Sequence, residues 1–179
     1  MPHFQRISLV HYHELGLKGH NRSTFERHLM RNLSSLLEGA PVEKVTRISG
    51  RVLVMYQASA DASEIAEAAD LIARVPGVAR VSCGFVCDRE LDQMYAAADA
   101  ALSEAGAFDT WKVVARRNHT DFEIDSMEMN QLVGAYLCER YPDKKVKMKH
   151  PDVEVHVEVV QGHSYIYAQS IPGAGGLPV

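Results

Sequence analysis

A run of lysines in the last third of the chain is the feature with the clearest chemistry. Four ammonium groups fall within six residues: Lys144, Lys145, Lys147 and Lys149. Such groups neutralise phosphates and give an affinity for nucleic acid that depends on salt rather than on base sequence. We therefore predict phosphate contacts at these four positions, with solvated side chains as the alternative for each lysine.

A second basic stretch surrounds a predicted strand at residues 110–117. Lys112 and Arg116 fall on one face of this strand, and Arg117 follows at its end. Guanidinium groups bind phosphate in a bidentate manner, and folded RNA is recognised largely through its backbone and shape. We add these three residues to the predicted phosphate contacts and predict hydrogen bonds to ribose from Asn118 and Ser126.

The motifs of common catalytic and metal sites are missing. The sequence has no phosphate-binding loop, no G-x-G-x-x-G, no H-E-x-x-H and no C-x-x-C. His11 and His13 lie on the same face of a predicted strand, which suits a metal, but no third or fourth ligand is indicated nearby. We predict neither a catalytic residue nor a metal site.

Charge is unevenly distributed along the 179 residues, which carry a net charge of −4. Residues 1–56 hold eight basic and four acidic side chains, and residues 57–110 hold three basic and ten acidic ones. Because salt screens charges beyond ~10 Å, local clusters decide what a surface attracts. An acidic total therefore does not exclude a basic binding surface.

Three cysteines and the absence of a long apolar run indicate the cellular compartment. An odd number of cysteines argues against a disulfide framework and favours a reducing cytoplasm. No stretch approaches the ~20 apolar residues that a membrane span needs. We expect a cytoplasmic protein with no membrane partner.

Periodicity predicts an α+β protein of two domains. Residues 1–87 give the order β, α, β, β, α, β, which is the ferredoxin-like pattern. Ser23 and Glu26 have capping-box spacing and predict the start of the first helix. Helices and strands alternate again over residues 88–171, and residues 172–179 have the composition of a linker.

Several segments resemble one family in the order in which that family has them. They are E-L-G-L-K-G-H-N-R at 14–22, S-G-R at 49–51, P-G-V at 76–78, S-M-E-M-N at 126–130, K-H-P-D at 149–152 and G-A-G-G-L-P-V at 173–179. This chain resembles the N-terminal region of the tRNA 4-thiouridine synthetases, also called tRNA sulfurtransferases or thiamine-biosynthesis sulfurtransferases.

The resemblance implies both a fold and a function. It implies a ferredoxin-like domain followed by a THUMP domain, which together bind tRNA, chiefly through its acceptor arm. In the family a PP-loop domain comes next and adenylates uridine 8 of tRNA with ATP and Mg²⁺. Sulfur reaches that domain from a cysteine desulfurase, and the family also supplies sulfur for the thiamine thiazole. Lys18 and Arg22 become secondary candidates for RNA or interdomain contacts.

Two departures from the family pattern matter. His13 stands where the family usually has glycine, and the S-G-G-x-D-S segment of the PP-loop domain is not present. We expect that this chain alone transfers no sulfur and holds no cofactor, and that a PP-loop domain acts with it in the same or another polypeptide. The alternatives are a stand-alone ferredoxin-like and THUMP adaptor, or a module that docks a small ligand or a protein.

Overall fold

Two units of the chain each have their own hydrophobic core. The computed structural model describes residues 3–13 and 20–175. The N-terminal unit consists of Arg6–Cys83 and the residues from Ser170 onward, and the C-terminal unit consists of Gly84–Gln169 and the residues up to Gln5. No helix within the described ranges is long and apolar enough to cross a membrane.

The first six elements of the chain lie in the N-terminal unit, except for Gln5 and the residues from Gly84 onward, which belong to the C-terminal unit. These elements are β1 (Gln5–Tyr12), α1 (His20–Leu36), β2 (Val42–Ile48), β3 (Arg51–Tyr56), α2 (Ala62–Ala73) and β4 (Val78–Cys87). Their strands lie in the order β2-β3-β1-β4. Strand β3 is antiparallel to both β1 and β2. This is the strand order of the ferredoxin-like pattern that the sequence predicts.

The core of this unit forms between one sheet face and the two helices. Val10 of β1 and Val54 of β3 are fully buried, in one cluster with Leu29 and Leu33 of α1 and Ile72 of α2. Leu29 and Leu33 are four residues apart in α1, and Ile65 and Ile72 are seven residues apart in α2. Side chains at such intervals share one helix face. The apolar periodicity therefore places both helices on the same side of the sheet.

Helix α1 starts earlier than the sequence predicts. It begins at His20, so the prediction that Ser23 and Glu26 form its cap is wrong. Glu26 is only 7% exposed. Its carboxylate accepts a hydrogen bond from the Tyr12 hydroxyl at 2.6 Å instead of turning back to the helix start. The capping box does not form because the carboxylate of Glu26 is bound to the buried Tyr12 hydroxyl.

The C-terminal unit contains the remaining elements, except for residues 170–172 of the last strand, which belong to the N-terminal unit. These elements are α3 (Leu91–Ser103), β5 (Thr110–Arg117), α4 (Ser126–Arg140), β6 (Lys145–Val146), β7 (Val153–Val159) and β8 (Ser164–Pro172). Their strands lie in the order β8-β7-β5-β6. Strand β5 is parallel to both β6 and β7, and β7 is antiparallel to β8. The two-residue strand β6 is an addition to the elements that the sequence predicts.

Strand β7 has the alternation that its sequence predicts, with one exception. Val155 and Val157 are fully buried and Glu154 is exposed. Glu158, which the pattern places on the solvent side, is only 3% exposed. The Tyr167 hydroxyl donates to its Oε2 at 2.7 Å, which offsets part of the cost of burying the carboxylate.

The residues that follow β8 bond back to the N-terminal unit. Gly173 N–H donates to the carbonyl of Ala79 at 2.9 Å, and Gly175 N–H donates to that of Val78 at 2.7 Å. Residues 173–175, predicted as part of a linker, are therefore ordered along the start of β4. Residues 176–179 of the predicted linker lie outside the described residues.

Gly84 marks a close approach of two strands. A Cβ atom built at this position would overlap the carbonyl oxygen of Ile166 and the Cα and Cβ atoms of Tyr167. Backbone atoms have little freedom to move away from such an overlap. The C-terminal unit therefore needs glycine at this position.

Gly84→Ala is expected to lower the free energy of unfolding by about 1–3 kcal/mol, because overpacking forces the strands apart. Gly134→Ala is the matched control, since no atom lies within 4 Å of the added methyl group. In helix α4 this change is expected to raise stability by about 0.5–1 kcal/mol. Urea denaturation measures both values, and equal effects of the two variants would contradict the prediction.

Candidate nucleic-acid interface

The lysine-rich run is held against the edge of β5 by its backbone. We call residues 144–149 the lysine segment. Lys145 N–H donates to the carbonyl of Asp109 and Lys147 N–H to that of Trp111, both at 3.0 Å. The side chains of Lys145, Lys147 and Lys149 are exposed. The fold therefore fixes the main chain of the segment and leaves these three ammonium groups facing solvent.

Asp152 anchors the other end of the lysine segment. Its Oδ2 accepts the N–H groups of Asp109 at 2.9 Å and Thr110 at 3.1 Å. Its own N–H donates to Thr110 Oγ1 at 2.9 Å. The two backbone donors, with a smaller contribution from the nearby Lys147, hold the pKa of this carboxyl below its ordinary value. The charged form of Asp152 therefore ties the turn after the segment to the start of β5.

Two of the predicted phosphate contacts have partners within the protein. Lys112 Nζ donates to the carbonyl of Met148 at 3.0 Å, which joins β5 to the lysine segment. Lys144 Nζ lies 3.9 Å from Asp143 and 5.2 Å from the ring centroid of Phe108. These two ammonium groups stabilise the segment, and their contribution to a phosphate-binding surface is correspondingly reduced.

Helix α4 covers the part of β5 that β6 leaves open. Strand β6 pairs only with Thr110 and Trp111. Further along, Asn130 Oδ1 accepts Ala115 N–H at 2.8 Å and Ser126 Oγ accepts Arg117 N–H at 3.0 Å. Ser126 and Asn130 are four residues apart, so both reach the strand from one helix face. The Ser126 hydroxyl, predicted to bind ribose, thus has a structural partner.

The basic residues at the end of β5 differ from one another in their surroundings. Arg116 is exposed, whereas Arg117 is half-buried and its Nη1 donates to the carbonyl of Phe122 at 2.9 Å. Asn118 N–H donates to the carbonyl of Val159 at 2.9 Å, and its side chain is exposed. Arg117 therefore holds the loop that follows, and the phosphate contact of the exposed Arg116 stays a prediction.

Arg89 makes contacts with Asp121 and Phe122 that the sequence does not predict. Its Nη1 and Nη2 atoms each lie 3.1 Å from a carboxylate oxygen of Asp121, and its Cζ lies 5.4 Å from the ring centroid of Phe122. The hydrogen bond from Arg89 lowers the pKa of Asp121. No spacing in the sequence links residues 89 and 121, so only the fold reveals this pair.

The predicted site residues therefore form two groups along β5. Lys112 contacts the lysine segment, and Arg117 contacts Ser126, about 17 Å along the strand at ~3.3 Å per residue. The second group adjoins the exposed carboxylates of Asp121 and Asp125. Lys145, Lys147 and Lys149 in the lysine segment therefore form the denser cluster of exposed cations of the two groups.

The two secondary candidates lie in the N-terminal part of the chain. Lys18 is outside the described residues. Arg22 is on α1, where its Nε lies 3.5 Å from Glu26 Oε1. The described residues contain no group of three or more His, Cys, Asp or Glu side chains arranged to hold a metal.

Comparison with known proteins assigns both units to families. Residues 7–82 match the family model of the ThiI ferredoxin-like domain, and residues 88–169 match that of the THUMP domain. This chain therefore belongs to the proteins built from a ThiI ferredoxin-like domain and a THUMP domain. The predicted α+β fold of these two domains is confirmed.

The curated relatives of this chain carry the name probable tRNA sulfurtransferase. The one from Moorella thermoacetica is 37% identical over 171 residues, and the one from Natranaerobius thermophilus is 34% identical over 178 residues. Each match covers 96% of this chain and 42% of the relative. The chain thus spans less than half the length of the relatives it matches.

Two solved structures share the fold over nearly the whole chain. A 4-thiouridine synthetase crystallised with RNA and ATP has a TM-score of 0.84 and 28% identity, covering 98% of this chain and 44% of that chain. The protein PH1313 from Pyrococcus horikoshii has a TM-score of 0.82 and 30% identity, covering 97% of this chain and 57% of that chain. The similarity therefore extends through both units.

Asp152→Asn is expected to lower the free energy of unfolding at pH 7. A carboxyl whose pKa is depressed on folding stabilises the protein above its unfolded-state pKa of about 4, and this stabilisation is lost as pH falls through the lower folded value. The difference between wild type and variant should therefore shrink in acid. Urea denaturation at several pH values measures it, with Asp70→Asn on helix α2 as an exposed control. A difference independent of pH would contradict the assignment.

Ser126→Ala and Asn130→Ala are each expected to cost about 1–3 kcal/mol of stability, because each leaves an N–H of β5 without its acceptor. Asn130→Asp keeps an acceptor oxygen and should cost less, and Gln131→Ala on the same helix is the control. Denaturation and RNA affinity are measured in parallel. Weaker RNA binding by Ser126→Ala at unchanged stability would favour the ribose contact instead.

Proposed function

We propose that this chain is the tRNA-binding part of a tRNA 4-thiouridine synthetase. In this proposal the chain holds the acceptor arm of tRNA while sulfur transfer to uridine 8 takes place on another domain. The observation that carries the proposal is the lysine segment, whose main chain is fixed to β5 and whose exposed ammonium groups lie within the THUMP-matched range. The RNA complex of the similar synthetase supports the choice of ligand.

Electrostatics supports phosphates as the groups that are recognised. Exposed lysines bind polyanions through the release of condensed counterions, which requires no base contact. Structured RNA offers phosphates in a fixed arrangement, and lysines on an ordered main chain match it at a lower entropic cost than lysines on a mobile loop. The backbone bonds of Lys145 and Lys147 provide this rigidity.

The proposal assigns the chemical step to residues outside this chain. ATP and Mg²⁺ belong to a PP-loop domain, and a cysteine desulfurase supplies the sulfur. The sequence supports this division because it lacks the S-G-G-x-D-S segment that binds the nucleotide. The odd number of cysteines, which argues against a disulfide framework, supports a cytoplasmic location for the complex. The contribution of this chain is therefore affinity and orientation of the tRNA.

Binding of a tRNA transcript is expected to weaken steeply with salt. Lys145→Gln, Lys147→Gln and Lys149→Gln should each reduce the slope of log affinity against log salt by about one unit, since each removes a phosphate contact. The double change of Arg116 and Arg117 to alanine should reduce it by up to about two units. Filter binding across a salt series measures the slope.

A DNA duplex of similar charge is the ligand control, and Glu139→Gln on helix α4 is the protein control. Slopes that are unchanged in all the lysine variants would contradict the proposal. Equal affinity for tRNA and the duplex would favour the adaptor or docking alternatives.

A further inference from the structure

A buried carboxylate organises the start of helix α1 in the N-terminal unit. The side chain of Glu26 is 9% exposed, and its Oε2 accepts the Tyr12 hydroxyl at 2.6 Å. Burial, and then the adjacent Glu26, raise the pKa of Tyr12, so its hydroxyl stays protonated and donates to the carboxylate. One carboxylate oxygen is thereby held in a fixed position.

The other oxygen of Glu26 faces two arginines. Arg22 Nε lies 3.5 Å and Arg47 Nη1 lies 3.6 Å from Oε1. Two guanidinium groups therefore face one buried carboxylate oxygen, and a buried carboxylate is stabilised only when such groups compensate its charge. The two side chains are 39% and 55% exposed, and therefore part of each guanidinium faces water.

These arginines border an open groove of about 350 Å³. The groove lies between α1 and the turn that joins β2 to β3, where Ser49 and Gly50 complete its lining. Gly50 has a φ of 72°, which residues other than glycine rarely adopt. The groove thus combines two oriented guanidinium groups with a hydroxyl and a tight turn of main chain.

We propose that this groove binds a phosphate group, contacted by Arg22 and Arg47. Glu26 and Tyr12 are positioning residues that act through the two arginines. A guanidinium presents five N–H donors in a planar fork, and that geometry matches the oxygens of a phosphate. The inference rests on the proposed function, because we assign the phosphate to the backbone of the bound RNA. Free inorganic phosphate has the same chemistry, and the experiment separates the two sources.

The first test replaces the contacting cations in the full chain. Arg22→Gln and Arg47→Gln are each expected to weaken binding of a tRNA transcript roughly three- to tenfold and to reduce the salt slope by about one unit. Arg31→Gln removes an exposed charge from the same helix and should leave binding within about twofold. Arg47→Lys keeps the charge but loses the fork, and should fall between wild type and Arg47→Gln.

The second test uses the sign of the effect at Glu26. Removing a negative charge beside a polyanion should tighten binding if charge alone matters, whereas loss of the group that orients the arginines should weaken it. We expect Glu26→Gln to bind tRNA roughly threefold more weakly. Tyr12→Phe keeps all the charges, removes only the hydroxyl and provides the same test if Glu26→Gln does not fold. Thermal melting reports the folding of each variant.

Orthophosphate titration by calorimetry identifies the source of the anion. Phosphate binding that Arg47→Gln abolishes, together with unchanged tRNA affinity, would overturn the assignment to RNA. Tighter tRNA binding by Glu26→Gln, or arginine variants equal to Arg31→Gln, would also overturn it. If the lysine variants flatten the salt slope and the arginine variants do not, only this inference fails. If wild type does not bind tRNA, the proposed function fails with it.

Discussion

The open edge of β5 is the constraint on which the C-terminal unit depends. An edge strand presents unpaired N–H and C=O groups, which must find partners or attract another chain. Strand β6 satisfies the first two positions, and side chains of helix α4 satisfy Ala115 and Arg117. Strand β6 and the side chains of α4 therefore bond to the same edge of β5. The pairing with β6 also fixes the main chain of the lysine segment.

The cations of the C-terminal unit have two different roles: some hold the main chain in place, and others face solvent. Lys112 and Arg117 donate to carbonyl oxygens, and Arg89 binds a carboxylate, so each holds a loop or segment in place. Lys145 and Lys147 use their backbone for the same purpose and leave their side chains exposed. A protein with a net charge of −4 thus keeps a local cluster of cations, because its largest excess of acidic side chains lies in residues 57–110.

The sequence predicted the long elements well because their signals are local. Alternation in β7 and the repeat of Leu29 and Leu33 in α1 reflect burial on one face, which a single element determines. Strand β6 was not predicted, because two residues are too short to show an alternation of buried and exposed side chains. Its pairing depends on β5, more than thirty residues earlier in the chain.

The roles of individual polar residues were harder to predict than the elements. The capping-box spacing of Glu26 competes with a hydrogen bond from Tyr12, and only tertiary packing decides between the two. Arg89 and Asp121 have no regular spacing, so their pairing follows from loop closure alone. Ser126 was predicted to contact ribose, and the partner found in the structure is a strand N–H. Its predicted ribose contact stays untested.

The division of the chain has a consequence for synthesis on the ribosome. The N-terminal unit includes residues from Ser170 onward, and Gly173 and Gly175 bond to β4. The N-terminal unit is translated first, but its last hydrogen bonds form only after residues 173–175 have left the ribosome. Domains usually fold as units while the chain grows. Here the nascent first unit remains without its closing segment until nearly the whole second unit has been made.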